Sequence, residues 1–407
     1  MRRQSPIHYA WVIALSAMLV VLCAVGLARF AFGMVLPTMA RDLALDYTAQ
    51  GLLGASYFVG YLAVVTSMPW IAPRLGPRRL CLTGLGLVGL GLFGMSLWFP
   101  YPLLLASYGL VGVGSGAAFV GAMTLPSLWF HPSHRARAAG VVTAGAGVGV
   151  LGSGLLVPEL LKVGVASPWK LSWLLFAAVA LSCAVVGYIT LRDRPKETDL
   201  EPFGHDENPV NASNKSAKLE LKVGPFLIHL GIIYALFAAT LLTYTTFIVT
   251  AMVDELSIST TDAGLLWAAV GGFSIFSGPL FGAISDRFGH KVGMASALSS
   301  QGVAFVLMAF DTGPLGLYVS ILFFGISAWS MPSIVAAAAG DYLGPEKAAS
   351  GFAILTLMFA AGQVLGPAGA GVLADFSGGF ALAFGVAAGL NLIGVLLCPM
   401  LPRVPRT

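Results

Sequence analysis

The sequence predicts an all-α integral membrane protein of twelve transmembrane helices in two parallel six-helix repeats. Three observations carry that fold class. Hydrophobic residues make up 57% of the 407 positions and charged residues only 10%, against about a quarter in soluble globular chains. So few charges could not cover the surface of a solvated enzyme. Apolar runs of about 20 residues, each long enough to cross a hydrocarbon core of about 30 Å, follow one another from end to end. Two anchors also recur at nearly constant spacing. Gly76 in PRLGPRR and Gly289 in DRFGHK lie 213 residues apart, while Gly140 in RARAAG and Gly351 in EKAASG lie 211 apart. That is a tandem duplication of about 210 residues, and six crossings per copy keep the copies parallel.

The expected spans are 9–40, 48–72, 80–98, 101–130, 138–161 and 170–191, then 224–251, 261–285, 291–310, 314–338, 348–373 and 379–401. The first resembles a signal peptide but is too long for an h-region and has no convincing cleavage site, so it reads as a retained helix. With the N-terminus placed in the cytoplasm, 18 of the 22 basic residues fall on the cytoplasmic side. This asymmetry orients the chain with both termini in the cytoplasm. The polar stretch 192–222 reads as a flexible cytoplasmic linker between an N-terminal bundle, 1–191, and a C-terminal bundle, 223–407. The Asn211-Ala212-Ser213 sequon would be inert there. A formal charge of +4 gives no sign of nucleic-acid binding. The four cysteines, Cys23, Cys81, Cys183 and Cys398, lie singly in apolar segments without metal or disulfide spacing.

Residues Gly282-Ala-Ile-Ser-Asp286-Arg287-Phe-Gly289-His-Lys291 match G-x-x-x-D-R-x-G-x-K, and here the chain resembles the major facilitator superfamily. The first-half copy is degenerate: Pro69 and Pro73 replace the Gly and the Asp, while Arg74, Gly76, Arg78 and Arg79 remain. Gly362-Gln363-Val-Leu-Gly366-Pro367-Ala-Gly369 looks like the family's Gly/Pro-rich helix, whereas the usual fourth-helix Arg is absent. GLARFAFGMVLPTM, GASYFVGYL and RLGPRR are similar to the bacterial YbfB/YjiJ-type branch. The resemblance implies transport by alternating access. An acid at a cytoplasmic helix end can pair with basic residues and hold that side shut. Asp286 and Arg287, with Gly289, Arg74, Gly76, Arg78 and Arg137, are therefore the expected cytoplasmic gate, with Arg137 or Lys347 as partner of Asp286. Plain positive-inside anchoring is the alternative for Arg78 and Arg79.

All 18 acidic residues fall in loops or at span ends, and among the basic residues only Arg29 lies well inside a span. A charge there costs about 3 kcal/mol on insertion scales, which marks a functional candidate. Snorkelling or bonding to helix carbonyls is the structural alternative. A forked guanidinium facing a cavity suits a carboxylate held bidentately. The repeat offset puts Thr240 to Leu242 opposite Arg29, with Thr240 and Tyr244 one turn apart. Cavity-lining helices of the resemblance add Tyr57, Tyr108, Trp267, Ser327 and Gln363 as substrate-binding candidates. An amide or phenol buried without a partner is costly, which singles out Gln363 and Tyr244.

Two G-x-G-x-x-G matches, at Gly84 and Gly147, lie inside spans without a preceding strand and read as helix packing. His131 and His134 have no ligand partners nearby, and no activated nucleophile is evident. The expectation is therefore a non-enzymatic secondary transporter of a small organic anion, such as a monocarboxylate. It would act as a monomer without cofactor or metal, with a coupled or exchanged ion. A drug or amphipath exporter of the same fold and a transporter-like receptor are the alternatives.

Overall fold

A computed structural model describes residues 8–97, 100–204, 224–310, 312–343 and 345–402, and nearly all of them are helical. Eleven helices among the described residues are long and apolar enough to cross a membrane. One of these, Tyr47–Ser96, has 50 residues, and Gly76 (φ 76°, ψ 161°) breaks it into two. A run of that length would reach about 75 Å as one helix, more than twice a hydrocarbon core. Counted as two, it gives the twelve spans expected. In chain order they are α1 (Tyr9–Asp42), α2 and α3 (47–75 and 77–96), α4 (Tyr101–Trp129), α5 (Pro132–Leu161) and α6 (Trp169–Thr190). There follow α7 (Pro225–Glu255), α8 (Thr260–Phe288), α9 (His290–Ala309), α10 (Gly313–Leu343), α11 (Pro345–Ser377) and α12 (Phe380–Leu397).

The ends of these helices follow local rules. Proline occupies the first turn of α4 and α7, where its missing N–H costs nothing. Ser259 caps α8 by accepting from the Asp262 N–H at 3.1 Å. His8 caps α1, its Nδ1 accepting from the Ala10 N–H at 3.2 Å. Partial burial lowers the His8 pKa, which keeps that nitrogen an acceptor. Prolines Pro126, Pro158 and Pro367 lie inside long helices, where membrane helices tolerate them.

The described chain divides into two compact units. Unit one takes in residues up to Ala31, Val59–Ser153, and the chain from Leu160 through the start of the 192–222 connection. Unit two takes in Phe32–Phe58, Gly154–Glu159 and the described chain from residue 224 onward. Helices α1 and α2 therefore each pass from one unit into the other.

The expectation that 192–222 is free of structure fails for its first part; residues 205–222 lie outside the described residues. Within unit one, Asp193 Oδ1 accepts from the Arg78 N–H at the start of α3, 2.8 Å away. The Trp129 indole donates to Arg192 O at 3.1 Å. Phe203 pairs by backbone with Phe130 and sets its ring among those of His8, Trp11, Phe130 and His134. An aromatic anchor and a helix-capping acid tie down a segment whose polarity alone suggests a free tether.

Candidate functional site

Unit one holds the Arg29 site. Its unusual element is a nine-residue π-helical stretch, Leu22–Phe30, inside α1. Such segments are rare, short, and concentrated at functional positions. Three contacts seat it. A Cβ on Gly26 would stand 2.6 Å from Gly149 Cα of α5, so the two backbones touch and neither position accepts a side chain. The Cys23 thiol is in hydrogen-bond contact with Cys183 of α6. The Tyr108 hydroxyl of α4 donates to Ala28 O at 3.1 Å, with Arg29 O at 3.5 Å.

Arg29 itself is half-buried, its guanidinium carbon 4.8 Å from the Phe30 ring centroid. Tyr61 of α2 lies within its electrostatic reach, on a helix locked to α4 where Gly60 meets the Gly109 carbonyl. Each acidic residue described in the spans sits toward a helix end, as Asp42, Glu159, Glu255 and Asp375 do. Tyr108, a candidate ligand donor by sequence, directs its hydroxyl at the α1 backbone instead. Tyr61 joins the candidates here, one turn from Tyr57 on a shared face of α2, the pattern by which the sequence offers it.

Unit two holds the other substrate-binding candidates. Thr240 is fully buried, its hydroxyl 3.1 Å from Gln301 Oε1 and 3.4 Å from Asn391 Oδ1. Tyr244 shares a 2.8 Å hydrogen bond with Ser320 and stacks on Phe324 at 3.7 Å. Both hydroxyls are committed to packing of α7 against α9, α10 and α12. Ser327 bonds Phe323 O and Phe324 O of its own helix, and Trp267 and Tyr57 are buried, Tyr57 edge-on to Phe58.

Gln363 behaves differently. It is only 2% exposed, and among the described residues its Nε2 meets no acceptor. Gly362 and Gly366 press α11 onto the Ala235 and Ala239 carbonyls of α7. Gly371 meets Tyr47, and Gly51 meets Pro367, so α11 and this part of α2 run antiparallel with their backbones close.

The signature residues divide between the units. In unit one, Arg74 donates to Trp70 O at 2.8 Å and Arg78 to Tyr188 O at 2.7 Å, while Arg137 lies 5.7 Å from the Trp11 ring. Gly76 takes its left-handed conformation (φ 76°) beside the Asp193 carboxylate. In unit two, Asp286 is exposed, and no ion pair of it is present among the described residues. Arg287 lies 5.3 Å from the Phe288 ring, and Gly289 turns the chain at φ 89°. His290 ties this loop instead, with Nε2 2.7 Å from Asp341 and Nδ1 2.9 Å from Ser285 Oγ.

At the opposite ends of these helices, unit two carries carboxylate contacts that no sequence motif announced. Arg41 pairs with Asp254 at 2.7 Å. Asp375 accepts from the Tyr47 and Thr48 N–H groups at 2.9 and 2.6 Å, capping α2, and Glu255 accepts from the Phe380 N–H at 2.6 Å, capping α12. Two grooves of about 790 and 330 Å³ in the same unit have nearly apolar walls and include none of the candidate residues.

A bacterial homolog of the human lysosomal transporter Spinster, solved inward-facing and unoccupied, matches this fold with a TM-score of 0.79 at 15% identity. The match covers 98% of this chain and 97% of the other. A "Putative tartrate transporter" of Agrobacterium vitis is 28% identical over 93% of this chain and 87% of its own length. The "Hexuronate transporter" of Bacillus subtilis (strain 168) is 25% identical over 91% of this chain and 89% of its own. The family model described as "Uncharacterised MFS-type transporter YbfB" matches residues 21–398. Matched over most of its length, the chain belongs to the YbfB-type family of major facilitator superfamily transporters.

Proposed function

We propose that this chain is a secondary transporter carrying a small organic anion across a bacterial inner membrane by alternating access, with Arg29 binding the substrate carboxylate. One observation carries the reading: Arg29 is the only charge placed well inside a span, set in a distorted helix between two tyrosine-bearing helices. Tartrate and hexuronates, named for two relatives, are carboxylates bearing hydroxyls, the chemistry a guanidinium with phenol neighbours would recognise. The basic residues orient both termini to the cytoplasm. The chain acts as a monomer, and a weak-acid substrate entering with its proton, or exchange of two anions, supplies the driving force.

Counterflow of tartrate and glucuronate in proteoliposomes tests this. Arg29→Ala abolishes flux. Arg29→Lys keeps the charge but loses the fork, lowering apparent affinity about 10- to 100-fold, the worth of one charge-assisted hydrogen bond. Undiminished flux of both anions in both variants refutes the anion site. Flux of amphipathic cations alone would favour an exporter.

A further inference from the structure

We infer that the π stretch of α1 is the device that positions Arg29, and that Tyr108 is the positioning residue holding its register. The inference rests on the anion reading only for what Arg29 then binds. A π segment carries an extra residue relative to an α-helix, so everything beyond it is turned by about 100° from where an unbroken helix would place it. Arg29 is the penultimate residue of that stretch, and ordinary α geometry resumes at Ala31. The angular relation between the guanidinium and the following half of α1 is therefore set by whether the extra residue is kept.

Such a segment persists only where its surroundings over-determine it. Here they do so at both ends. Near the start, Cys23 meets Cys183, and Gly26 lies on Gly149 with backbone against backbone, which fixes the depth of the segment against α5. At the finish, where carbonyls change partners as one hydrogen-bond pattern gives way to the other, the Tyr108 hydroxyl donates to Ala28 O and lies beside Arg29 O. The ring is 2% exposed, 6.3 Å from Trp173 by centroids, and cannot follow the backbone elsewhere. The division of the chain into two units also falls at Ala31/Phe32, one residue past the end of the π stretch.

The test reads Arg29 directly and needs no known substrate. The purified full chain is treated with an arginine-selective dicarbonyl, phenylglyoxal, and modification of each arginine is followed by peptide mass spectrometry. Tyr108→Phe removes only the hydroxyl. It is expected to change the Arg29 rate about fivefold, the equilibrium equivalent of one net hydrogen bond, while Arg74 and Arg287 react as before. Gly26→Ala, which disturbs the same segment from the α5 side, should move the Arg29 rate alone as well. An unchanged Arg29 rate in either variant that elutes as a folded, monodisperse species overturns the inference, as does an equal change at all arginines. Protection of Arg29 in the unaltered chain by tartrate or glucuronate is a separate arm. Absence of protection there sinks the anion reading and leaves the register inference to be decided by the rates.

Discussion

The backbone contact between Gly26 and Gly149 gives a quantitative prediction. An alanine Cβ at position 26 would lie 2.6 Å from Gly149 Cα, 3.1 Å from Ala146 O and 3.2 Å from Gly145 O. All three neighbours are backbone, so no side chain can swing aside, and α1 and α5 must part by about 1 Å to restore ordinary contact. Overpacking of that kind costs about 1–3 kcal/mol, at the upper end here because nothing flexible absorbs it. Alanine regains about 1 kcal/mol over glycine in helix propensity, leaving Gly26→Ala about 2 kcal/mol less stable. The control is Gly147→Ala on α5, whose Cβ meets nothing within 4 Å. It keeps the propensity gain alone and should be neutral to about 1 kcal/mol stabilising. Thermal unfolding in one detergent, followed by intrinsic tryptophan fluorescence, ranks the variants. Equal midpoints for Gly26→Ala and Gly147→Ala would refute the close contact and the seat it provides for the π stretch.

Further expectations concern the polar contacts. Thr240→Val should lower stability by about 1–2 kcal/mol by removing the one buried hydroxyl proton within reach of the Gln301 and Asn391 amide oxygens, without altering protection of Arg29 by carboxylates; lost protection would return Thr240 to the ligand site. Asp375→Ala removes the acceptor for two N–H groups and should cost about 1–2 kcal/mol in thermal unfolding. Arg41→Ala should cost less than about 1 kcal/mol, since the pair is open to solvent with side chains 56% and 24% exposed; the reverse order would contradict the capping role. Asp193→Ala should loosen the 192–204 segment and raise its cleavage by an added protease several-fold, through loss of a cap worth about 1 kcal/mol; unchanged cleavage would refute that anchor. For His8, a lowered folded pKa means that its contribution is present above the ordinary histidine pKa and is lost as pH falls toward the folded value. His8→Ala should therefore flatten the acid side of the stability profile between about pH 7 and 5, and an unaltered profile would contradict it.

The spans were legible because hydrocarbon imposes a length and a polarity on every crossing, and even the merged Tyr47–Ser96 helix breaks at Gly76, where the sequence places its anchor. Arg29 stood out because a charge inside a span is rare and costly. What the residues around it do was hidden. The π stretch has no composition that distinguishes it from the apolar helix it interrupts. Thr240 and Tyr244 could be placed on one face of α7 by the helical period, but not told apart as cavity-facing or core-facing. Every neighbour in lipid is apolar on both sides, so periodicity loses the inside–outside contrast that it has in water. The Asp193 cap joins residues more than a hundred positions apart, and Asp341 reaches His290 across 51, neither through a motif.

Sequence alone thus determined the crossings, their count, the family and the one intramembrane charge, since each follows from the cost of polar groups in a bilayer. Tertiary structure alone decided which hydroxyls are tied into packing, which acids cap which helices, and how α1 is wound where it carries Arg29. Those depend on hydrogen-bond partners and backbone approaches supplied by distant helices, and a local pattern of residue types does not contain them.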